Sequence, residues 1–172
     1  SHTAAVFDAL MAAGGTDIRP VGYRALESLR LEKGYRAWSS DITPNDTPFE
    51  AGLGWAVKLK SDTRFLGRAA LEAVQGRPLA KRLAGFTSDP GAVLVGRETI
   101  LRNGEPVGYL TSGGYGYTVG ASIGYGYLRN PAGVTEDWLA SGSYALVVAG
   151  ETLPASLVLK PLHDPEGSRI RA

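Results

Sequence analysis

Two turn signals in the second half of the chain restrict its fold more than any other feature of the sequence. Asn103-Gly104 separates the β-rich runs "ETILR" and "EPVGYLT", and Ala149-Gly150 separates "SYALVV" from "ETLPASLV". A two-residue type I′ turn needs positive φ at both central positions, which Asn-Gly adopts readily. Because further short β-rich runs lie on either side, the sequence predicts antiparallel strands that form a small barrel or sandwich.

Helical patterns dominate the residues that precede this β-rich part. The run "TAAVFDALMAAGG" and the run "VGYRALESLRLEKGY", which ends at Gly34, both have the spacing of helices, and residues 67–74 predict a short third helix. The alternating run "GLGWAVKL" predicts a strand. Two Thr-Pro pairs predict turns over residues 39–49, where Asp41 and Asp46 are interpreted as turn or capping residues.

The change of pattern falls at the run "GRP", residues 76–78. We therefore expect an α+β fold with two domains: residues 1–78, the last part of an α/β region, and residues 79–172, an antiparallel β-barrel. The barrel is expected to start at about Lys81. No helix of three turns or more is expected between Arg82 and Val134, because the hairpin signals there are local and dense.

The second helical segment carries charged residues on an otherwise largely apolar surface. We expect most of this helix to be buried, because its apolar residues fall on more than one face: Ala25, Leu26, Leu29 and Leu31. Burying an unpaired charge is costly, so Arg30 and Glu32 are expected to be buried and hydrogen-bonded. Their partners lie elsewhere in the protein or on a ligand, and a structural pair that ties the helix to the barrel is the favoured interpretation.

The stretch "TSGGYGYTVGASIGYGYL", residues 111–128, raises the question of a phosphate-binding loop. Such loops require a strand, a glycine turn and then a helix, and no helical pattern follows here. The stretch also fits neither GxGxxG nor GxxxxGK[ST]. It is better interpreted as a strand end, a glycine-rich turn and a second strand with tyrosines on one face, whose glycines let another backbone approach closely.

Composition excludes several classes of site. Cysteine is absent and histidine occurs only at positions 2 and 163, so disulfides, thiolate nucleophiles and His-rich metal sites are not expected, and His163 is interpreted as a loop residue. The net charge of +1 comes from mixed acidic and basic residues, which argues against nucleic acid as a partner. No apolar run is long enough to cross a membrane. The lack of cysteine and of an export signal favours a cytoplasmic location.

Four segments, read in order, resemble one family. They are "SLRLEKGYRAWSSDITPNDTPFEAGLGWAV", "FLGRAAL", "PVGYLTSGGYGYTVGASIGYGYL" and the closing "PLHDP". Together they resemble the glycine-cleavage T-protein (aminomethyltransferase) superfamily. Within it, "LEKGYRAW" and "PLHDP" are most similar to the folate-binding module of dimethylglycine and sarcosine dehydrogenases or oxidases. The resemblance covers nearly the whole chain.

This resemblance implies a three-part fold around a tetrahydrofolate channel, with this chain holding the last part of the α/β region and the full C-terminal barrel. It also implies a one-carbon reaction. An FAD domain elsewhere in the full-length protein would oxidise the N-methyl group of a small methylated amine to an iminium. The folate module would then capture the carbon as 5,10-methylene-tetrahydrofolate. A channel suits this chemistry because it orients the folate amine and excludes water.

The resemblance places the family's catalytic aspartate and its pterin-contacting glutamate before Ser1, so no catalytic residue is expected in this chain. In aminomethyltransferases proper, an arginine of the matching helix contacts folate. This sequence has Leu26 there, with Arg24 and Arg30 on either side. The departure favours the dehydrogenase branch of the family.

Four residues are the candidate folate contacts: Tyr23, Arg30, Trp38 and Tyr115. The rings of Tyr23 and Trp38 suit stacking on a pterin or aminobenzoyl ring, although packing in the core is the alternative for both. Tyr115 and Tyr117 flank the glycine-rich turn and are placed to line a channel mouth.

Two other functions stay open from the sequence. One is a non-catalytic interaction or scaffold domain of the same fold, and the other is an O- or S-demethylase that uses tetrahydrofolate as methyl acceptor. In each case we expect the isolated chain to be inactive.

Overall fold

The computed structural model describes residues 2–171 of the chain. The first half contains three helices and no regular strand: α1 Thr3–Gly14, α2 Tyr23–Lys33 and α3 Arg68–Val74, with a 3-10 turn at Gly54–Ala56 between the last two. The second half contains the strands β1 Lys81–Ser88, β2 Thr99–Arg102, β3 Glu105–Gly116, β4 Ala121–Arg129, β5 Tyr144–Val148 and β6 Glu151–Val158. A short helix, α4 Glu136–Ala140, precedes β5, and a second 3-10 turn lies at Arg169–Arg171.

The strands form a closed antiparallel barrel in the order β1-β4-β3-β2-β5-β6. Pairing of β6 with β1 from Gly85↔Val158 to Ser88↔Ala155 closes it, so the sheet has no free edge. The first strand starts at Lys81, and every residue from 82 to 134 is described without a helix. The prediction of an α+β fold with a C-terminal antiparallel barrel is therefore confirmed.

Both predicted hairpin turns are present. Asn103 and Gly104 have φ of 52° and 87° between β2 and β3, and Ala149 and Gly150 have φ of 50° and 88° between β5 and β6. Positive φ at both positions is the requirement of a type I′ turn, whose twist matches that of the paired strands. Local turn chemistry thus sets the register of β5 with β6 and of the first pairs of β2 with β3, before the β2–β3 register shifts between Ile100 and Leu101.

The barrel interior is apolar and closed to solvent. It is filled by side chains with no exposed surface, one from each of five strands: Phe86, Ile100, Leu110, Leu128 and Leu146. Leu139 of α4 covers one end of this core, where the hydroxyl of Tyr144 donates to its carbonyl at 2.9 Å. These side chains therefore form the hydrophobic core that stabilises the barrel.

Helix α2 contacts the barrel through one narrow face. No residue of α1 is buried, and only Ser28, Leu31 and Glu32 of α2 are. The expectation that most of α2 is buried is wrong, because Leu26 and Leu29 are each 54% exposed on the side away from the barrel. Apolar side chains on the outer side of these helices thus form an exposed surface.

The predicted strand in "GLGWAVKL" is also wrong. Residues 52–60 form turns and the 3-10 turn at Gly54–Ala56. Gly52 adopts a φ of 68°, and the amide of Leu53 donates back to the carbonyl of Pro48 at 2.7 Å, so the chain curls instead of extending. An extended run also needs a partner strand, and the closed barrel offers none.

Candidate functional site

Helix α2 lies across β3 and β4, where it packs closely against glycine residues. A Cβ on Gly114 would lie 2.9 Å from Cδ1 of Leu31, and a Cβ on Gly116 would lie 3.1 Å from both Cγ and Oε1 of Glu32. Only glycine leaves this space for the helix. The glycine- and tyrosine-rich stretch is therefore a strand, a turn and a strand, as predicted, and its glycines admit a neighbouring helix.

Polar contacts fasten α2 to this hairpin at three levels. The Ser28 hydroxyl donates to the carbonyl of Tyr115 at 2.6 Å, and the Tyr125 hydroxyl donates to the carbonyl of Leu31 at 3.1 Å. The Glu32 carboxylate, only 2% exposed, accepts from the amides of residues 118 and 119 in the β3–β4 turn. Glu32 thereby holds the glycine-rich turn against the C-terminal half of the helix.

The C-terminal segment fastens the end of the same helix. The backbone carbonyl of Glu32 accepts from the amides of Leu162 and His163 at 3.1 and 3.0 Å. The ammonium of Lys33 contacts a carboxylate oxygen of Asp164 at 2.7 Å. The hydrogen bond from Lys33 is the main cause that lowers the pKa of Asp164 below its usual value.

Arg30 and Asp41 form a buried ion pair beside α2. Nη1 of Arg30 lies 2.7 Å from Oδ2 of Asp41, and the side chains are 12% and 1% exposed. The same nitrogen donates to Oγ of Ser112 at 3.2 Å, while Nε and Nη2 donate to one oxygen of Glu27 at 2.9 and 2.7 Å. Most of the guanidinium is thus committed to groups inside the protein.

The Asp41 carboxylate joins three parts of the chain. Its Oδ1 accepts from the hydroxyls of Thr111 and Ser112 at 2.6 and 2.7 Å on β3, and its Oδ2 accepts from the amide of Ala37 at 2.9 Å. Its backbone carbonyl accepts from the Tyr127 hydroxyl of β4 at 3.0 Å. Asp41 does close a turn, as predicted, but the interpretation as a simple turn residue missed its burial.

The prediction for Arg30 and Glu32 is confirmed in its main part: both are largely buried and hydrogen-bonded within the protein. They do not pair with each other, since Arg30 meets Asp41 and Glu27 whereas Glu32 meets the amides of the β3–β4 turn. Apart from Glu27, which lies on α2 itself, these partners come from the barrel or the turns next to it. Each charge therefore ties the helix to the barrel separately.

A second cluster fixes the loop after α2 to the start of the barrel. Asp46 accepts from the amide and hydroxyl of Thr43 at 2.7 Å and from the ammonium of Lys81. Burial disfavours the charged form of Asp46, but the hydrogen bonds from Lys81 and Thr43 outweigh it, so its pKa lies below the usual value. The Lys81 ammonium also lies 5.0 Å from the centre of the Tyr127 ring. Asp46 is a turn residue, as predicted, and a salt-bridge partner as well.

The structure places the aromatic candidates on the surface. Tyr23 is 75% exposed and Trp38 is 68% exposed, so neither ring packs in the core of the chain. Tyr115 is half-buried and forms an edge-to-face pair with Tyr117 at 5.0 Å between ring centres. Large exposed rings of this kind are available to a ligand or to another protein surface.

Two of the four candidates, Tyr23 and Arg30, lie along one flank of α2, and the turn that carries Trp38 is bound to this flank. Tyr23, Glu27 and Arg30 follow each other at helical spacing on the same face, and the turn that carries Trp38 is bound to Arg30 through Asp41. Tyr115 lies across the helix, at Ser28. Sequence reasoning missed Glu27 and Asp41, because neither the helical spacing nor the turn signal indicates that one arginine contacts both.

Other classes of site find no support among residues 2–171. No group of three or more metal-ligating side chains is present there. His163 lies in a loop, where its amide bonds the end of α2. No helix in the described part of the chain is both long and apolar enough to span a membrane.

Comparison with known proteins identifies the family of the chain. The family profile described as "GCVT N-terminal domain" matches residues 1–61, and the profile "Glycine cleavage T-protein C-terminal barrel domain" matches residues 81–164. Sarcosine dehydrogenase, mitochondrial, of Mus musculus is 43% identical over 169 residues, which is 96% of this chain and 18% of that protein. Dimethylglycine dehydrogenase, mitochondrial, of Homo sapiens is 34% identical over 169 residues, 97% of this chain and 19% of that protein.

A solved structure shares the fold. The glycine cleavage system aminomethyltransferase T of Bartonella henselae superposes with a TM-score of 0.76 at 24% identity, over 94% of this chain and 44% of that one. The chain spans less than a fifth of the length of the curated dehydrogenases above. The matched profiles, the closed barrel and these relatives agree, and the chain belongs to the glycine cleavage T-protein (aminomethyltransferase) superfamily.

Proposed function

We propose that this chain is the C-terminal part of a tetrahydrofolate-dependent one-carbon transfer module in a flavin-dependent dimethylglycine or sarcosine dehydrogenase. The observation that carries the proposal is the 43% identity to a sarcosine dehydrogenase across 96% of the chain. The aminomethyltransferase structure that matches at lower identity supports the fold, but it does not support the choice of amine substrate. The proposed product is 5,10-methylene-tetrahydrofolate, with the one-carbon unit drawn from an N-methyl group.

We further propose that the chain contributes two structural units to this module. Residues 1–78 belong to the α/β folate-binding region, and residues 79–172 form the barrel. The separate profile matches to residues 1–61 and 81–164 support a division close to the "GRP" run. Contacts of α2 with β3 and β4 would then hold the two units together.

The exposed groups of the first unit suit folate. Tyr23 and Trp38 present large rings to solvent, and flat aromatic faces are what a pterin or aminobenzoyl ring stacks on. The Glu27 carboxylate, one turn after Tyr23 on α2, keeps one oxygen outside its contacts with Arg30 and suits an N–H donor of such a ring. Tetrahydrofolate, when bound, supplies the amine that accepts the carbon. The residues of this chain would orient it and exclude water from one side.

The remaining parts of the reaction are assigned to other segments of a longer protein. In this proposal, those segments supply the flavin chemistry and the acid–base carboxylate. The exposed apolar residues of α1 and α2 agree with a site that is only half built here, because soluble domains rarely expose contiguous apolar surface without a partner. The cytoplasmic location inferred from composition stays a prediction.

The test is a product assay on the full-length protein with dimethylglycine and with sarcosine, each with and without tetrahydrofolate. We expect 5,10-methylene-tetrahydrofolate to form when folate is present and free formaldehyde to be released when it is absent. A full-length protein that oxidises the amine but gives formaldehyde in both conditions would contradict the folate role and favour a scaffold domain. Failure to oxidise either amine would contradict the dehydrogenase assignment.

A further inference from the structure

The turn that carries Trp38, residues 37–42, is fixed far more firmly than an exposed turn requires. The amides of Asp41 and Ile42 both donate to the carbonyl of Ala37, and the amide of Ser39 donates to the carbonyl of Ile42. We call this segment the Trp38 turn. Side chains then add the Asp41 contacts to Ala37 and to the barrel.

The backbone of the Trp38 turn is strained. Ser39 has a φ of 74°, in a region that residues other than glycine adopt rarely. Such a conformation persists only where surrounding contacts impose it, and it concentrates at functional positions. Here the imposing contacts are those of Asp41, which bind the turn to α2, β3 and β4 at once.

A buried ion pair is an expensive way to fix a turn for stability alone. Well-packed apolar residues in place of a buried pair are often neutral or stabilising, so stability alone does not account for this pair. Its contacts fix the geometry of the turn, because Nη1 of Arg30 contacts both the Asp41 carboxylate and, at 3.4 Å, the carbonyl of Tyr35 just before the turn. On the other side of the guanidinium, Nη2 donates to the Glu27 carboxylate.

We propose that Arg30 and Asp41 are a positioning pair that holds the Trp38 ring, and with it the Glu27 carboxylate, in a fixed arrangement for a flat heterocyclic ligand. Arg30 then acts through Trp38 and Glu27 and does not itself bind the ligand, because its guanidinium is committed to Asp41, Ser112 and Glu27. A ring that is rigid before binding loses little freedom when the ligand arrives, which increases affinity. That the ligand is a folate rests on the proposed function.

The first test measures the mobility of Trp38 in the chain without any ligand. The three tryptophans are labelled with 5-fluorotryptophan, and the Trp38 fluorine resonance is assigned by its loss in Trp38→Phe. In the parent, we expect the relaxation of the Trp38 fluorine resonance to be that of a rigid ring, even though the ring is exposed. In Arg30→Lys and Asp41→Asn, we expect it to be that of a mobile ring. Thr111→Val is the matched control, because it removes one hydrogen bond to Asp41 on the barrel side and leaves Arg30 and Ala37 in place.

Three results of this measurement would overturn the positioning role of Arg30 and Asp41. A Trp38 ring that is already mobile in the parent, or one that stays rigid in Arg30→Lys while the variant remains folded by circular dichroism, overturns the positioning role. Loosening of Trp38 in Thr111→Val to the same degree as in Arg30→Lys would also overturn it, because the effect would then be general destabilisation.

The second test uses the full-length protein and tetrahydrofolate. We expect Trp38→Ala and Arg30→Lys each to raise the dissociation constant for tetrahydrofolate roughly tenfold, the size of one lost aromatic contact. Binding that is unchanged in both variants of a folate-dependent parent refutes the inference and leaves the proposed function intact. A parent that does not bind tetrahydrofolate refutes the proposed function, while the fluorine measurement still decides whether the pair positions Trp38.

Discussion

Replacing Arg30 by alanine tests how much the buried pair beside α2 contributes to stability. The change removes the 2.7 Å contact to Asp41 and leaves a carboxylate that is 1% exposed without the cationic partner it has among the described residues. Breaking a buried pair in this way costs about 3–5 kcal/mol. Asp41 keeps its bonds from Ala37, Thr111 and Ser112, so we expect a value near the lower end.

The matched control is Glu27→Ala, which removes the other partner of the same arginine. Glu27 is 30% exposed, and partly exposed pairs contribute less than about 1 kcal/mol. For a chain of this length, the entropy of unfolding converts these costs into a fall in Tm of roughly 8–14 °C for Arg30→Ala and roughly 3 °C or less for Glu27→Ala. The ratio of the two falls in Tm is a sharper test than either fall alone.

The assay is thermal and urea unfolding followed by circular dichroism at neutral pH, with the parent and both variants measured side by side. Equal urea m-values would show that the compared states are the same. An Arg30→Ala variant that melts within about one degree of the parent, well inside the shift expected from a broken buried pair, would refute the reasoning. So would a Glu27→Ala variant that is equally destabilised.

Three further predictions concern the packing of α2 on the β3–β4 hairpin, the stability of the protein in acid, and its activity. Gly116→Ala places a methyl group against Ile123 and Glu32 and is expected to destabilise by about 1–3 kcal/mol. Gly22→Ala adds a methyl group in open space at a φ of −70°, but at the N-cap of α2, so the gain in chain entropy and the loss at the cap oppose each other and the change is expected to stay below about 1 kcal/mol. Thermal melts compare the two variants. Because the folded pKa of Asp164 is lowered, its contact with Lys33 stabilises fully above about pH 4, the unfolded value, and this stabilisation is lost as pH falls through the folded pKa. Asp164→Asn should therefore show a smaller drop in Tm than the parent between about pH 4 and pH 2, and parallel curves would contradict the assignment. The isolated chain should be catalytically silent and bind tetrahydrofolate only weakly, because stacking supplies about 1 kcal/mol beyond area burial; micromolar binding by calorimetry would contradict this.

The parts of the fold set by neighbouring residues were predictable from the sequence. The Asn103-Gly104 turn needs only its own backbone preferences, and Gly34 ends α2 with a φ of 69° for the same reason. Parts that depend on distant partners were not. The run after Gly52 alternates like a strand, but whether it extends depends on a free sheet edge, which the sequence does not reveal.

The candidate site shows the same division. The spacing of Arg30 and Glu32 in an apolar helix indicated buried charges, because burial demands partners wherever they lie. The identity of those partners had no local signal. Asp41 meets Thr111, Ser112 and Tyr127, which are 70 to 86 positions away in the chain, and only closure of the barrel brings them together.

The seat of α2 on the β3–β4 hairpin also sets the order of events during synthesis. Ser28 and Leu31 leave the ribosome 87 and 94 positions ahead of the tyrosines they bind, Tyr115 and Tyr125. At about 5–20 residues per second, the helix waits roughly 4 to 19 s for its binding surface. The face that waits is mostly polar, with Leu31 as its one large apolar group between Ser28 and Glu32. The barrel-facing side of the nascent helix therefore offers little apolar surface to a wrong partner, whereas Leu26 and Leu29 on its other side stay exposed even after the barrel has formed.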